Sequence, residues 1–275
     1  MHGKRGRVGA VEDLEVHSIE AGKALVRADP KEALALARNI AGGIAADINV
    51  VAAAHRRKRL IVADMDSTII NCECLDELAD FAGLKDRISA ITERAMRGEI
   101  EFAGALRERV GLLKGLPLTT LERVWRERIR LNPGAKQLIA TMKSRGARAL
   151  LVSGGFTFFT SRVASAASFD EAQANTLLDD GIRLTGKVGE PILGREAKLA
   201  ALISEVARLG IKFDDVLAVG DGANDLAMIG KAGLGVAYHA KPLVAEAAGA
   251  RIDHGDLRAL LYLQGYSDQE IIETF

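Results

Sequence analysis

Short apolar runs that alternate with amphipathic stretches are the feature of this sequence that most constrains its fold. The apolar runs occupy residues 60–63, 147–152, 216–219 and 234–237. Helical patterns lie among them at residues 134–145, 195–209 and 223–231. Apolar strands joined by helical crossovers are typical of a parallel sheet that is covered on both faces. The pattern therefore predicts an α/β chain with a Rossmann-like parallel sheet and helices on both faces.

Polar and glycine residues directly follow the first three apolar runs. They form the segments Asp64-Met65-Asp66, Ser153-Gly154-Gly155 and Gly220-Asp221-Gly222. Ligands of open parallel sheets bind beyond the carboxyl ends of the strands. We therefore expect several chemically active side chains to meet at one edge of the sheet.

The segment between Thr68 and Pro133 has no strong strand pattern. It carries helical patterns at residues 75–81, 86–96, 101–113 and 118–129. We predict an all-helical cap inserted after the first core strand, which in this position can close over a site and exclude water. Further along, Asp180-Gly181 lies between two short alternating stretches and predicts a β-hairpin within residues 175–188.

The first 56 residues are predicted to form a small α+β module. Strand patterns at residues 23–26 and 48–53 flank a helical pattern at 30–45. The basic run that follows, residues 55–59, is interpreted as a solvated linker because no aromatic residues are interleaved with it. The expected domains are this module at residues 1–56, a core formed by 57–71 and 133–275, and the cap at 72–132.

Charge and cysteine content narrow the expected partners. The chain of 275 residues has 37 basic and 37 acidic side chains, so its formal net charge is zero. This balance argues against a general nucleic-acid or membrane-surface role. Two cysteines are too few for a disulfide framework, and no apolar run approaches the roughly 18 residues of a membrane helix. We expect a cytoplasmic protein that acts on a small molecule.

Asp64, Asp66 and Asp221 are the candidate metal ligands. Carboxylates avoid buried strands unless they are paired or bind a metal, and Mg²⁺ prefers a few carboxylates together with water and phosphate oxygens. A turn or helix-cap cluster uses the same residue types, so the convergence of three strand ends is what favours a metal site. In phosphoryl transfer, the Asp64 carboxylate would attack phosphorus and form an aspartyl-phosphate. Asp66 would act as general acid and base.

Further polar residues are candidates for contacts with a phosphate group. Ser153 offers a hydroxyl and Gly154 an unobstructed backbone amide, although a serine at this point is also a common helix N-cap. Lys198 is either a phosphate-neutralising cation or a solvated helix lysine. Asn224 and Asp225 start the next helix, where they would cap it or orient their neighbours.

Three residues of the cap bear on the choice of substrate. A mostly apolar row on one helical face is formed by Phe102, Leu106, Arg109 and Leu113, since Phe102 and Arg109 are seven residues apart. An arginine in such an apolar row would bind a substrate carboxylate bidentately, or would snorkel to water. Glu73 is a candidate partner for a substrate ammonium group, or an exposed acid at a helix start.

Together these motifs resemble those of the haloacid-dehalogenase-like phosphatases, and among them the phosphoserine phosphatases of the bacterial SerB type. The wider resemblance rests on Asp64-Met65-Asp66-Ser67-Thr68, Val152-Ser153-Gly154-Gly155-Phe156, Lys198 and Gly220-Asp221-Gly222-Ala223-Asn224-Asp225. The narrower one rests on Asn71-Cys72-Glu73, Glu101-Phe102 and Arg109-Val110-Gly111-Leu112-Leu113-Lys114. The resemblance covers about residues 59 to 265.

The resemblance implies an Mg²⁺-dependent hydrolase that converts O-phospho-L-serine to L-serine and phosphate, the last step of serine biosynthesis. It implies Asp64 as nucleophile, Asp66 as acid and base, and a metal held by Asp64, Asp221 and the backbone oxygen of Asp66, with Asp225 in support. Substrate contacts are implied for Glu73, Phe102, Arg109, Ser153, Gly154, Lys198 and Asn224. Relatives of this type often carry an ACT-like regulatory domain. Residues 1–56 are short for a complete one and are expected to dock or to mediate a homodimer.

Two other functions stay open at this point. A phosphotransferase would pass the phosphoryl group of phosphoserine to another alcohol such as homoserine, because water and a small alcohol compete for the same aspartyl-phosphate. A non-enzymatic binding protein would keep the fold without the chemistry, although the intact acidic set argues against it.

Overall fold

A six-stranded parallel sheet forms the centre of the protein. The structure, a computed structural model, describes residues 11–16, 22–26, 29–97 and 99–274. Its strands are β1 (Val11–Val16), β2 (Gly22–Val26), β3 (Leu60–Ala63), β4 (Arg148–Phe156), β5 (Glu171–Asn175), β6 (Leu177–Asp179), β7 (Leu184–Val188), β8 (Val216–Gly220), β9 (Leu234–Tyr238) and β10 (Ala250–Ile252). The order across the sheet is β10-β9-β8-β3-β4-β5, and every neighbouring pair is parallel.

Eleven α-helices accompany the strands in the described part of the chain. They are α1 (Pro30–Ala41), α2 (Cys74–Phe81), α3 (Lys85–Met96), α4 (Phe102–Leu112), α5 (Leu118–Glu127), α6 (Ala135–Ser144), α7 (Thr157–Ala167), α8 (Arg195–Leu209), α9 (Leu226–Lys231), α10 (Pro242–Ala247) and α11 (Ala259–Leu263). None of the described helices is both long and apolar enough to cross a membrane.

Alternate residues of the central strand β3 face the two layers of helices. Ile61 and Ala63 belong to the apolar cluster that contains residues of α6, α7 and α11. Leu60 and Val62 belong to the cluster that contains residues of α8, α9 and α10. All four side chains are fully buried, and burial of each large aliphatic one contributes about 1.5–3 kcal/mol. The predicted parallel sheet with helices on both faces is confirmed.

The four helices α2 to α5 lie between β3 and α6, where the all-helical cap was predicted. The two segments that connect these helices to the core lie side by side, because Ile70 and Leu131 form an isolated antiparallel bridge. The predicted hairpin is confirmed as the antiparallel pair of β6 and β7. It also bonds to the cap, since the backbone N–H of Gly115 donates to the Leu184 carbonyl. The proposed domain limits remain a prediction.

The structure differs from the prediction before residue 60. The predicted strand at 48–53 is wrong, since these residues form no regular structure. The side chain of Asn49 instead exchanges two hydrogen bonds with the backbone of Arg251 in the edge strand β10, at 2.8 Å each. A side-chain amide thus takes the place of a strand ladder. Helix α1 ends before the predicted residue 45 because Gly42 adopts the left-handed conformation.

The basic run at residues 55–59 makes contacts within the protein. Arg57 pairs with Glu270 at 2.7 Å, and the buried Lys58 ammonium donates to the carbonyl of Asp214. Arg56 donates to the carbonyl of Leu263. The interpretation as a purely solvated linker is therefore wrong, since these cations anchor the start of β3 to its surroundings.

Candidate active site

The carboxyl ends of three adjacent strands bring the predicted acidic residues together. Asp64 and Asp66 follow β3, which lies between β8 and β4 in the sheet. Asp221 directly follows β8, and Ser153 lies in the last part of β4. The backbone N–H of Asp64 continues the ladder beyond β3, because it donates to the Val219 carbonyl. The parallel sheet is therefore what places these groups at one edge, as expected.

Lys198 joins two carboxylates inside the protein. Its Nζ lies 2.7 Å from Asp64 Oδ1 and 2.6 Å from Asp225 Oδ1. The lysine is 1% exposed and Asp225 is fully buried, so the alternative of a solvated helix lysine is wrong. Burial alone would lower the pKa of Lys198, but the two carboxylates outweigh that effect and raise the pKa above its ordinary value.

Asp225 is held in place by the glycines around it. Its Oδ2 accepts from the backbone N–H of Gly222 at 3.0 Å. A Cβ on Gly220 would collide with the Asp225 carboxyl group, so the strand must end in a residue without a side chain. The short 3₁₀ turn at Ala223–Asp225, rather than the predicted start of an α-helix, directs this carboxylate inwards.

The environment of Asp66 raises the pKa of its carboxyl group towards neutral pH. Its Oδ2 accepts from the Ser153 hydroxyl at 3.1 Å, and its Oδ1 accepts from the Cys74 backbone N–H at 2.9 Å. Burial, followed by the negative charges of Glu73 and Asp64, raises the pKa of Asp66 to about 7. A carboxyl group with a pKa near the working pH suits general acid and base catalysis.

Three carboxylates form a cluster that fits a metal ion. Asp64, Asp221 and Asp225 each offer an oxygen, and these oxygens lie within 4.8 Å of one another. The Thr68 hydroxyl orients Asp221 by donating to its Oδ1 at 3.1 Å. Burial, then the charges of Asp64 and Glu73, raises the pKa of Asp221 to about 6. Hard divalent cations prefer oxygen ligands, so carboxylates that lie this close together fit such an ion.

The segment Ser153-Gly154-Gly155, which we call the phosphate loop after the phosphate contacts that the sequence predicts for it, interrupts the pairing of β4 with β5. The register of the two strands shifts between Val152 and Phe156. The backbone N–H of Gly155 donates to Ser153 Oγ at 2.8 Å. A Cβ on Gly155 would lie 2.9 Å from Asp66 Oδ2, so the loop passes directly beside the proposed acid.

Two predicted cap residues and Asn224 of the core lie around the same edge. Glu73 Oε1 accepts from the Ser67 hydroxyl at 2.7 Å, and Ser67 has a positive φ of 55°. The ring of Phe102 lies over Gly154 and is 42% exposed. Asn224 is exposed beside Asp225.

Arg109 is half-buried between two cap helices. Its Nε donates to the Ala105 carbonyl at 3.2 Å, and its Nη1 lies 3.4 Å from Thr92 Oγ1. Burial lowers the pKa of Arg109, and the opposing charges of Asp76 and Glu73 limit the decrease.

Two residues near the site were not identified from the sequence. Lys241 donates its backbone N–H to the Asp221 carbonyl at 3.1 Å, and its charge counteracts the rise in the pKa of Asp221. Asn175 is 2% exposed and donates to the Gly154 carbonyl at 2.9 Å. Asn175 ends β5, a strand that was missed because its sequence Glu-Ala-Gln-Ala-Asn lacks apolar β-branched residues.

Comparison with known proteins places the chain in a family. The sequence profile of haloacid dehalogenase-like hydrolases matches residues 61–230. A phosphoserine phosphatase of Polaromonas sp. (strain JS666) is 50% identical over 211 residues, which are 74% of this chain and 89% of that protein.

Two solved structures of phosphoserine phosphatase are also similar to the chain. One is a complex with bound substrate and the other an analogue of a phospho-aspartyl intermediate. Each is 40% identical with a TM-score of 0.69, and each match covers 75% of this chain and 98% of the solved one. The chain therefore belongs to the haloacid dehalogenase-like hydrolases, among the members of that family that resemble phosphoserine phosphatases.

Proposed function

We propose that the protein hydrolyses O-phospho-L-serine to L-serine and phosphate through an aspartyl-phosphate on Asp64, with Mg²⁺ as cofactor. The observation that carries the proposal is the buried group of Asp64, Lys198 and Asp225 beside Asp66 and the phosphate loop. The choice of phosphoserine is supported by relatives named phosphoserine phosphatase and by Glu73 and Arg109 in the cap.

Asp64 would act as the nucleophile. Asp64 lies at the end of β3. Its Oδ1 is held by Lys198 and by the Met65 backbone N–H, each at 2.7 Å, and these two contacts fix the orientation of the carboxylate. A carboxylate oxygen attacks phosphorus, and the bond from phosphorus to the seryl oxygen breaks. Water then attacks the same phosphorus, the bond to Asp64 breaks, and phosphate leaves.

Asp66 would move the protons of both steps. In the first it donates a proton to the departing seryl oxygen, which a pKa near 7 allows. In the second the resulting carboxylate removes a proton from the attacking water. Ser153 and the Cys74 backbone N–H hold the carboxyl group in one orientation for these transfers.

Asp64, Asp221 and the backbone oxygen of Asp66 would hold the metal, with Asp225 in support. When bound, Mg²⁺ supplies positive charge that reduces the repulsion between the substrate phosphate and the attacking carboxylate. The phosphate oxygens would be bound by Ser153, Gly154 and Lys198.

The cap would recognise the amino acid part of the substrate. Glu73 would bind the ammonium group and Arg109 the carboxylate, with Asn224 close to the substrate on the core side. Phe102, which already lies over Gly154, would complete the enclosure and exclude water.

We infer a cytoplasmic enzyme without a nucleic-acid or membrane partner, organised as the module at 1–56, the core and the cap described above. A homodimer formed through the module is tested by light scattering of the full chain and of a chain that begins at residue 57.

A panel of phosphate monoesters tests the substrate. Release of phosphate is measured with Mg²⁺ for O-phospho-L-serine, for phosphoethanolamine, which lacks the carboxylate, for 3-phosphooxypropanoate, which lacks the amine, and for a sugar phosphate. We expect the highest kcat/KM for phosphoserine and no turnover after EDTA treatment until Mg²⁺ is restored. Equal rates across the panel would reject the substrate, and added homoserine that becomes phosphorylated would favour a phosphotransferase.

A further inference from the structure

Asn175 is a buried polar side chain at a point where two strands stop pairing regularly. It is 2% exposed and ends the edge strand β5. The register between β4 and β5 shifts where the phosphate loop begins, and there the side-chain Nδ2 donates to the Gly154 carbonyl at 2.9 Å. The asparagine amide thus supplies a hydrogen bond to the loop at the irregular part of the ladder.

The bond to Gly154 is the first link of a continuous chain of hydrogen bonds. The peptide unit that carries the Gly154 carbonyl also carries the N–H of Gly155, which donates to Ser153 Oγ at 2.8 Å. The Ser153 hydroxyl donates in turn to Asp66 Oδ2 at 3.1 Å. Rotation of this peptide would therefore disturb both the loop and the proposed acid, and Asn175 opposes that rotation.

The same side chain also fixes the segment that leads into α8. Its Oδ1 accepts from the Leu193 backbone N–H at 2.7 Å, and its Nδ2 donates to the Leu193 carbonyl at 3.2 Å. Gly194 follows, and the ring of Phe102 lies against both Gly154 and Gly194. Because α8 carries Lys198, one amide group connects the phosphate loop to the start of the helix that bears the phosphate-binding lysine.

We propose that Asn175 is a positioning residue for the phosphoryl group, which keeps the phosphate loop and the start of α8 in the geometry that binds phosphate. It acts through Gly154 and Leu193 and does not touch the substrate. This inference rests on the proposed phosphatase function. It differs from a purely structural role because it predicts damage confined to the phosphate half of the site.

Product inhibition separates the two halves of the site. Turnover of p-nitrophenyl phosphate is measured with Mg²⁺ in the presence of inorganic phosphate, which occupies the phosphate half, or of L-serine, which occupies the cap half. Asn175→Ala loses all three hydrogen bonds of the amide group, and we expect the inhibition constant of phosphate to rise about tenfold. The inhibition constant of L-serine is expected to stay within about twofold of the parent value.

Asn175→Asp is the second variant, because it preserves the shape of the side chain. Its carboxylate can still accept from the Leu193 N–H but cannot donate to the two carbonyl groups. We expect it to weaken inhibition by phosphate at least as much as the alanine variant does. If Asn175→Ala does not fold, this variant alone decides the test.

Asn49→Ala is the matched control. Asn49 also clamps a backbone residue through both atoms of its amide group, but at β10 rather than at the phosphate loop. It is expected to leave both inhibition constants unchanged, while its unfolding midpoint reports the stability cost of losing such a clamp.

Two results would overturn the inference. One is unchanged phosphate inhibition in a folded Asn175 variant, and the other is an equal loss of phosphate and L-serine inhibition. A parent protein that L-serine does not inhibit and that does not prefer phosphoserine would instead reject the proposed substrate. The phosphate constants of Asn175→Ala and Asn49→Ala would still decide the role of Asn175 in that case.

Discussion

The core side and the cap side of the candidate site are built in different ways. On the core side, formed by Asp64, Asp66, Ser153, Lys198, Asp221 and Asp225, Lys198 is 1% exposed and lies within 2.7 Å of two carboxylates. On the cap side, formed by Glu73, Phe102 and Arg109, Phe102 is 42% exposed. The guanidinium of Arg109 contacts only cap residues among its described hydrogen bonds.

The difference follows from what each side has to do. Phosphoryl transfer requires charges that are fixed before the substrate arrives, and a buried network provides them at low reorganisation cost. Recognition of an amino acid requires groups that can move as the site closes, and an inserted set of helices that the chain enters and leaves through one bridged pair of segments allows that. Variants of the core side should therefore abolish the chemistry, while variants of the cap side should change the substrate.

Asp64→Asn should have the largest effect of all. The amide cannot form the aspartyl-phosphate, so kcat should fall by about 10⁴-fold or more for every phosphate ester, as it does when a covalent nucleophile is removed. Single-turnover assays with phosphoserine and with p-nitrophenyl phosphate provide the measurement. A variant that kept the activity of the parent would exclude Asp64 as nucleophile.

Asp66→Asn should be slightly less damaging and should depend on the leaving group. Loss of a general acid typically costs about 10²–10⁴-fold, and we expect a loss in this range for phosphoserine. p-Nitrophenyl phosphate releases a phenolate that needs little protonation, so the loss in the rate of the first step should be at least about tenfold smaller for that ester. That rate is measured as release of L-serine or p-nitrophenolate in a single turnover, before the aspartyl-phosphate is hydrolysed. Equal losses of the first-step rate for both esters would mean that Asp66 does not protonate the leaving group.

Arg109→Lys should affect only the cap side. Lysine keeps the charge but not the bidentate geometry, so we expect the KM for phosphoserine to rise about 10–100-fold, in line with the loss of a charged hydrogen-bond pair. The KM for p-nitrophenyl phosphate, which has no carboxylate, should not change. Arg107→Lys on the same helix is the control, because Arg107 is exposed and pairs with Glu190. If Arg109→Lys raised the KM of both substrates equally, the assignment of substrate recognition to the cap side alone would be wrong.

Most of the core side could be predicted from sequence because most of its residues lie at strand ends. Asp64, Ser153 and Asp221 follow apolar runs, and parallel pairing of those runs brings them together without further information. The role of Lys198 was ambiguous, since an amphipathic helix alone does not say whether a lysine faces water or two buried acids. Its ion pairs depend on the packing of α8 against the sheet.

Residues that act through side-chain contacts with distant backbone could not be predicted. Asn175 ends a polar edge strand without a strand-like pattern, and its partners Gly154 and Leu193 are 21 and 18 residues away. Asn49 binds Arg251 across 202 residues. Such pairings cannot be predicted from local sequence, because the partners come together only when the sheet is assembled.

Stability should also distinguish the two sides, because the core side brings several buried carboxylates close together. Burial and the charges of Asp64 and Glu73 raise the pKa of Asp221 to about 6, above its ordinary 3.8. A carboxyl group with a raised folded-state pKa supports the fold fully below pH 3.8 and loses that support as the pH rises through 6. Without metal, Asp221→Asn should therefore stabilise the protein by about 1–2 kcal/mol at pH 8.

The gain should disappear at pH 4, where the parent carboxyl group is largely protonated in the folded protein. Mg²⁺ should raise the unfolding temperature of the parent but not of Asp221→Asn, because a bound ligand stabilises only the state that binds it. Thermal unfolding with EDTA or with Mg²⁺ at both pH values measures these effects. Glu127→Gln, which removes an exposed acid of the cap, is the control and should change none of them. A metal-free Asp221→Asn less stable than the parent at pH 8 would show that this carboxylate supports the fold, and that its charge is balanced without a metal.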